Sequence, residues 1–343
     1  MKSLNFLFPE PQKLVLIEED VSAVGPNTVL IESIVSHVST GTEMWCYRGI
    51  FDPNTVFSEW VKFPFRPGYS TAGRVLEVGR DVVGVKPGDL VHTGRPHQQY
   101  VTVEYGEKER NNLIGRILTK IPDGLVPDEM IWASMAGVAI VGCRKAKIEF
   151  GEYVAVIGAG PIGQLTSQYA KLCGAVRVVS IDTVQKRLDC ALEGGGATDV
   201  LCMDAQSAIS AVEEVLGTKP EVVFDTTGNY AVLQHACLMV KTFGRIILNG
   251  DTPEPSKQIM GPVVSRSLDI RAVHGNIASD LNSLPWVGKR NAQMNMELLL
   301  QKRIKVKHLI SHRYKPQEAP EVYKKLAHDR SYSMGVVFDW SDI

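Results

Sequence analysis

The sequence has no apolar run approaching 18 residues, so it lacks the usual signature of a membrane-crossing helix. It has almost no net charge, −1 from 37 basic and 38 acidic side chains. Nothing in that balance favours nucleic acid or an anionic membrane surface as a partner. None of the six cysteines, Cys46, Cys143, Cys173, Cys190, Cys202 and Cys237, forms a CxxC pair. Most sit in apolar or helical surroundings, which argues against a zinc finger or a disulfide framework and indicates reduced, intracellular usage. The opening MKSLNFLFPEPQK lacks the long apolar stretch of a secretory leader, and a cytoplasmic location is expected by elimination. Internal repeats and low-complexity tracts are also missing. What remains is 343 residues, 44% of them hydrophobic, which is enough for two domains with sizeable cores.

The most informative stretch runs from Tyr153 to Asp182, YVAVIGAGPIGQLTSQYAKLCGAVRVVSID. An apolar strand enters a glycine-rich turn, an amphipathic helix follows, and a second apolar strand ends in an acid. Gly158 permits the tight turn, Gly160 removes the side chain that would block a pyrophosphate, and Gly163 lets helix and strand pack closely. The turn continues through Pro161 and Ile162 into the helix, whose first N–H groups form an anion site. Asp182 lies 19 residues beyond Gly163, where a carboxylate takes both ribose hydroxyls. The pattern predicts a dinucleotide site, with NAD favoured over NADP because a 2′-phosphate is repelled by Asp182. Arg187 either softens that preference or is a solvated arginine on the next helix.

Around this stretch the chain changes character. Residues 1–35 alternate apolar and polar over short runs and read as strands of a mostly antiparallel domain. Pro67-Gly68 and VKPGD mark turns of a small barrel-like sheet, and residues 107–125 read as a polar excursion and then another turn. Residues 127–141 read as one helix rich in small residues, with Asp128 as a candidate cap. From 147 to about 288, strands and helices alternate, the pattern of a parallel sheet covered on both faces. The terminal GVVFDW is expected to return to the first domain.

In order and spacing, VSTGTE, RPGYSTAGRVLEVG, GVKPGDLV, GEYVAVIGAGPIG, VVFDTTG, GRIILNG, the LISHRY region and the closing VVFDW resemble the medium-chain dehydrogenase/reductase superfamily. The spacing of the middle of the chain is most similar to the sorbitol and threonine dehydrogenase branch. The resemblance implies an α/β fold, a Rossmann doubly wound parallel sheet plus a discontinuous GroES-like, mostly antiparallel β-barrel catalytic domain. The expected domains are 1–146 (catalytic), 147–288 (NAD-binding) and 289–343, a segment returning to the catalytic domain. A homodimer or homotetramer is implied as well.

The chain departs from the family where zinc would bind. The cysteine motif of zinc members reads Thr40-Gly41-Thr42-Glu43 here, the GHE motif reads Gly68-Tyr69-Ser70, and the third ligand position falls near Ser134. Neutral hydroxyls are poor ligands for Zn²⁺. Residues 92–115 also lack the cysteines of the family's structural zinc. No metal is expected at either place.

Without zinc, a side chain must polarise the substrate oxygen. Tyr69, in place of the zinc-binding histidine, is the first candidate, although it equally reads as a tyrosine filling the vacated pocket. Thr42 is either a substrate contact or a helix cap. Thr40 is a candidate contact, and Glu43 either a base or, as in the family, a structural acid. Trp45, His92, Arg95 and Ser134 are candidate substrate-side residues, with surface loop the competing reading for His92 and Arg95. The resemblance further places Thr226, Thr227 and Gly228 near a ribose, and Asn249 and Gly250 near the nicotinamide amide. The function implied is a zinc-independent, NAD-dependent dehydrogenase interconverting a secondary alcohol and a ketone on a small or medium, polyol-like or specialised-pathway metabolite. Competing readings are an NAD(P)H-dependent enoyl or quinone reductase, and a dehydrogenase for the hydroxyethyl group of bacteriochlorophyllide, suggested by VSTGTE. A cofactor-binding protein with little turnover is a reading of a different class.

Overall fold

A computed structural model describes residues 1–105, 118–273 and 289–343. Residues 107–117 of the polar excursion and the boundary expected at 288 lie outside the described residues. Two compact units divide the chain, Met1–Ser134 with Asn276–Ile343, and Met135–Gly275.

The first unit begins with β1 (Lys2–Leu7) and β2 (Val15–Asp20), an antiparallel pair. The long β3 (Thr28–Val38) is the spine of its main sheet. It pairs antiparallel with β4 (Thr71–Val78) and with β6 (Tyr100–Glu104). Beyond β4 come β5 (Leu90–Thr93) and the short β7 (Thr119–Lys120). Between β3 and β4 lie α1 (Thr42–Arg48) and α2 (Val56–Trp60). Strand β3 is rich in β-branched residues and is covered over most of its length, which suits a strand in the middle of a barrel-like sheet.

The helix expected over 127–141 is two helices, α3 (Pro127–Met130) and α4 (Ala133–Ala146). The break has a visible cause. Ser70 Oγ donates to the Ile131 carbonyl at 2.5 Å, and Trp132 is wholly buried with its ring 4.4 Å from that of His37. Asp128 is not the cap either. Glu129 Oε2 accepts from the Val126 N–H at 3.1 Å, while Asp128 pairs with Arg313 at 2.5 Å.

The second unit carries β8 (Tyr153–Ile157), α5 (Pro161–Cys173), β9 (Arg177–Asp182), α6 (Gln185–Glu193), β10 (Asp199–Cys202) and α7 (Ala208–Leu216). Then follow β11 (Val222–Asp225), α8 (Val232–Met239), β12 (Arg245–Leu248) and β13 (Asp269–Ala272). The strands stand in the order β10-β9-β8-β11-β12-β13, and every pairing is parallel. This is the doubly wound arrangement, with its order reversal between β8 and β11, where such sheets bind ligands beyond their carboxyl ends. The near-continuous apolar strands expected from the sequence are buried on both faces, as Val154, Val222 and Val223 show.

The chain closes with α9 (Lys289–Leu300), β14 (Ile310–Tyr314), α10 (Ala319–His328) and β15 (Gly335–Asp339). Strand β15 pairs antiparallel with β3, placing Val337 opposite His37, and β14 runs parallel beside it. The closing strand therefore completes the sheet of the first unit. Its aromatic side chains complete that unit's core, where Phe338 meets Phe6 edge-on at 4.9 Å and joins Phe8, Tyr47, Tyr323 and Trp340. Burying each such ring contributes about 1.5–3 kcal/mol, so the last strand is integral to the first unit. No described helix is long and apolar enough to cross a membrane.

Candidate active site

The first unit brings Tyr69, Thr42 and Ser134 together. Tyr69 follows Gly68, which holds φ +95° and packs directly on His97: an added Cβ would lie 2.6 Å from His97 Cδ2 and 2.7 Å from its backbone nitrogen. Only glycine fits this close approach, and it fixes where Tyr69 starts. Ser134 Oγ donates to the Tyr69 carbonyl at 3.0 Å. The Tyr69 hydroxyl donates to Ser39 Oγ and stands 3.4 Å from Thr42 Oγ1. Burial pushes the phenol up to about 12, against smaller lowering effects from those two hydroxyls. A phenol acts as a base near neutral pH only if its pKa is depressed, and here the shift runs the other way. Tyr69 is a neutral hydrogen-bond donor.

Ser39 was missed by sequence reasoning. It stands one residue beyond β3, inside the VSTGTE motif, and the hydroxyl run of that motif was the available signal. Thr42 is not a cap: Gly41 occupies that position, and no side chain caps the helix.

Glu43 is drawn away from this cluster. It is 1% exposed. Its Oε1 accepts from the Ser39 N–H at 2.7 Å, and its Oε2 accepts from the Tyr323 hydroxyl at 2.5 Å. His97 Nε2 lies 3.1 Å from the same Oε2, and His97 Nδ1 is 2.7 Å from Ser36 Oγ, which also accepts from Trp340 Nε1 at 2.9 Å. Both carboxylate oxygens are therefore committed to the interior, which corrects the reading of Glu43 as a base. The same interactions push the Tyr323 phenol up, through burial first and the Glu43 charge second.

Thr40 is nearly buried, and its carbonyl accepts from Arg330 Nη1 at 3.0 Å. Trp45 is half-buried on the aromatic core, with the Arg48 guanidinium 5.3 Å from its ring. His92 is not on a surface loop. It lies in β5, 6% exposed, with Nε2 3.0 Å from Ser70 Oγ. Because Ser70 donates to Ile131, it accepts from His92, which sets Nε2 as the protonated nitrogen. Burial pushes His92 down to about 4, and His37 to about 3 with His97 a smaller cause. Both imidazoles are neutral at pH 7. The Arg95 carbonyl accepts from Thr71 Oγ1 at 3.3 Å, and its side chain is half-buried.

Thr40, Tyr69 and Ser134 are the residues at the positions where the resemblance would expect zinc ligands. The Tyr69 and Ser134 hydroxyls are engaged with protein oxygens, and none of the three supplies thiolate, imidazole or carboxylate. These residues do not fit Zn²⁺. Among the described residues, no group of three or more His, Cys, Asp or Glu side chains is placed to share a metal ion.

The second unit builds the dinucleotide turn. Gly158 takes φ +93°, and a Cβ on Gly163 would fall 1.8 Å from the Gly158 carbonyl oxygen. Both positions require glycine. At Gly160 an added Cβ meets nothing within 4 Å, so the glycine leaves an open space in front of α5. Pro161 is the first helical residue, and the N–H groups of Ile162 and Gly163 have no acceptor within the helix. Asp182 Oδ2 accepts from the Ala159 N–H at 2.8 Å and Oδ1 from the Val184 N–H at 2.9 Å. Each oxygen keeps a further lone pair for a ribose hydroxyl. This turn fits a dinucleotide.

Arg187 is not a solvated arginine. Its Nη1 is 3.7 Å from Asp182 Oδ2, and its side chain is 19% exposed. Thr226 Oγ1 donates to the carbonyls of Ile157 and Gly158, at 3.0 and 2.9 Å, locking the turn from behind. Thr227 donates its N–H and hydroxyl to Asp225 Oδ1 at 2.9 and 2.7 Å. That bend leads into Gly228 at φ +64°, where a Cβ would sit 2.4 Å from the Asp251 carbonyl. Gly250 packs against the same bend, 2.3 Å from Gly228 N if it carried a Cβ. The Asn249 side chain faces inward, 3.3 Å from Thr166 Oγ1, and is so close to Gly142 that a Cβ there would clash at 2.3 Å. Asn249 is thus packed beneath the strand end, 6% exposed.

A family model described as zinc-binding dehydrogenase matches residues 161–286. The chain is 28% identical to the sorbitol dehydrogenase of Gallus gallus over 330 residues, covering 88% of this chain and 86% of that protein. Its fold resembles that of an Escherichia coli oxidoreductase/dehydrogenase of unknown specificity, with TM-score 0.81, 20% identity and 99% of each chain covered. An alcohol dehydrogenase from Escherichia coli CFT073 complexed with NADH superposes with TM-score 0.79 at 19% identity, over 98% of this chain and 99% of that one.

Proposed function

We propose that the chain is a member of the medium-chain dehydrogenase/reductase superfamily, a zinc-independent, NAD(H)-dependent dehydrogenase that interconverts a secondary alcohol and a ketone. The observation that carries the reading is the hydroxyl cluster of Tyr69, Ser39 and Thr42, built where zinc-dependent members of the superfamily hold their metal. A polyol-like or otherwise polar substrate suits this cluster of donors. It also accords with the sorbitol dehydrogenases among the chain's relatives.

In this reading the Met135–Gly275 unit holds the cofactor. Gly160, Ile162 and Gly163 receive the pyrophosphate, and Asp182 receives the ribose hydroxyls. When bound, the nicotinamide supplies a hydride to a ketone or accepts one from an alcohol. Tyr69, protonated up to about pH 12, turns its O–H from Ser39 to the substrate oxygen. There it stabilises the negative charge that grows on a carbonyl as hydride arrives. Ser39 and Thr42 orient the phenol, and Ser134 fixes the backbone beneath it. Glu43 holds the Ser39 amide in place and transfers no proton. In ketone reduction the alkoxide takes its proton from the phenol, which regains one from solvent by relay through the Ser39 hydroxyl, and alcohol oxidation runs the same relay in reverse with the proton ending in solvent. NAD is the preferred cofactor because a 2′-phosphate would meet Asp182, with Arg187 reducing that preference.

The test is turnover of a panel of ketones and polyols with NADH and NAD⁺, together with elemental analysis of the purified protein. Under about 0.2 zinc per chain is expected from this ligand set, with activity unchanged by EDTA. Stoichiometric zinc with EDTA-sensitive turnover would overturn the mechanism. Tight NADH binding with no turnover across the panel would overturn the assignment as an enzyme.

A further inference from the structure

A groove of about 700 Å³ runs along the second unit, between the ends of α7 and α8 and the turns that enter β11, β12 and β13. Its wall carries Lys219, Lys241 and Arg266 against the Glu213 carboxylate, with the Thr218 hydroxyl and the Phe243 ring beside them. The dinucleotide turn follows the carboxyl end of β8. Strands β8, β11 and β12 run parallel, so the groove lies at the opposite, amino-terminal edge of the sheet. We propose that it binds a phosphate monoester whose organic part is a flat aromatic ring.

The positive charge here exceeds what the surrounding protein neutralises. Lys219 Nζ donates to the Leu238 carbonyl at 2.9 Å, and Arg266 Nη1 reaches that same oxygen at 3.2 Å. Arg266 also donates to the Cys237 and Val240 carbonyls. Lys241 pairs with Glu221 at 2.9 Å, but among the described residues no carboxylate is within ion-pair distance of Lys219 or Arg266. The carbonyl end of a helix carries about half a negative charge, less than the two positive charges that meet at the end of α8. Like charges so placed repel, and an anion between them relieves the repulsion. Donors remain for it. An ammonium has three and a guanidinium five, and the carbonyls take one from Lys219 and three from Arg266.

The ring and the cations are held in one frame. Phe243 donates its N–H to the Arg266 carbonyl at 3.0 Å, and Lys241 donates its N–H to the Pro220 carbonyl, next to Lys219, at 2.9 Å. Those bonds tie together the three segments that carry the charges before any ligand arrives. Phe243 stands at φ +62° and is 78% exposed. A bulky residue is strained in that left-handed region, which glycine enters freely, and a ring left in water gains little burial in return. Strain of this kind beside a cationic groove points to a ligand that covers the ring. The ring's face suits stacking by a second aromatic ring, while a phosphate takes charge-assisted hydrogen bonds from Lys219 and Arg266. A neutral aromatic molecule lacks the second interaction, and inorganic phosphate lacks the first.

The test is a phosphorus NMR titration of the full chain with phenyl phosphate and, separately, with inorganic phosphate, in saturating NADH so that the dinucleotide turn is filled. Phenyl phosphate should bind saturably with a Kd of about 1 mM, the range its size allows. It should bind roughly 5-fold tighter than inorganic phosphate through the ring contact. Lys219→Gln keeps a donor for the Leu238 carbonyl and removes the charge, and should weaken both probes about 10-fold. Phe243→Gly fits φ +62° and should melt no lower than wild type. It should bring phenyl phosphate down to the affinity of inorganic phosphate and leave inorganic phosphate unchanged. Equal affinity of the two probes for the wild type would overturn the proposal. So would the absence of saturable binding, or a Lys219→Gln variant that binds phenyl phosphate as the wild type does.

Discussion

Replacing Glu43 by glutamine removes one charge from the interior of the first unit and leaves the shape of the side chain. In the native chain that carboxylate accepts from the Ser39 N–H at 2.7 Å and from the Tyr323 hydroxyl at 2.5 Å, and it lies 3.1 Å from His97 Nε2. A hydrogen bond to a charged group is worth about 1.5–3 kcal/mol, and a neutral one about 0.5–1.5. The glutamine amide nitrogen also cannot accept, so one of the three contacts must rearrange. A loss of about 2–4 kcal/mol follows, which for a unit of this size lowers its melting temperature by roughly 10 °C. The thermal transition is followed by circular dichroism, and kcat is measured in parallel at a temperature where the variant is folded. An interior hub predicts a large fall in melting temperature with kcat within about 5-fold of wild type. General-base catalysis contributes about 10²–10⁴-fold, so an unchanged melting temperature with kcat reduced 100-fold would refute the reasoning and return Glu43 to the chemistry.

Asp182→Gly is expected to weaken NADH by about 30-fold or more through the loss of charge-assisted ribose contacts, and to weaken NADPH far less. Equal losses in a direct binding titration would remove the role given to Asp182. Asp225 is 2% exposed, and burial lifts its carboxyl from 3.8 to about 6. A carboxyl whose folded pKa lies above its unfolded value holds more protons when folded, so it costs stability as pH rises through this range, with the full cost present above pH 6. Asp225→Asn keeps an oxygen to accept from Thr227 and should be more stable than wild type by up to about 3 kcal/mol at pH 8. That gain should vanish below pH 4, and an equal or lower urea midpoint at pH 8 would count against it.

Local pattern carried the sequence reading furthest where a residue type had a single geometric use. Gly158 and Gly163 are required by φ +93° and by a 1.8 Å clash, and those constraints are legible in their spacing. The apolar runs that became β8, β9, β11 and β12 were legible for the same reason, since a strand buried on both faces leaves no polar alternation to misread. Long-range partners were harder to foresee. The break between α3 and α4 depends on Ser70, some sixty residues upstream, taking the Ile131 carbonyl. Glu43 depends on Tyr323 from the other end of the chain, so TGTE alone left a base and a structural acid both open. Asn249 was carried over by motif, yet its side chain direction was set by Gly142, whose missing Cβ makes room for it. For Arg187 two readings stayed open, because nothing in its own helix shows that Asp182 lies 3.7 Å away.

The central claim is that the Tyr69 hydroxyl, with no metal, polarises the substrate oxygen. Tyr69→Phe keeps the ring and deletes that single donor. Losing one donor of this kind costs about 10²–10³-fold in kcat. The measurement is ketone reduction with NADH from pH 6 to 10, beside NADH affinity measured by direct titration. The account predicts that kcat falls at least 100-fold, that NADH affinity stays within about 2-fold, and that added zinc restores nothing. It also predicts that the wild type shows no pH limb due to Tyr69 below pH 10, because the phenol is held at about 12. Activity of Tyr69→Phe within 3-fold of wild type, or a wild-type limb between pH 7 and 9 that the variant lacks, would contradict it.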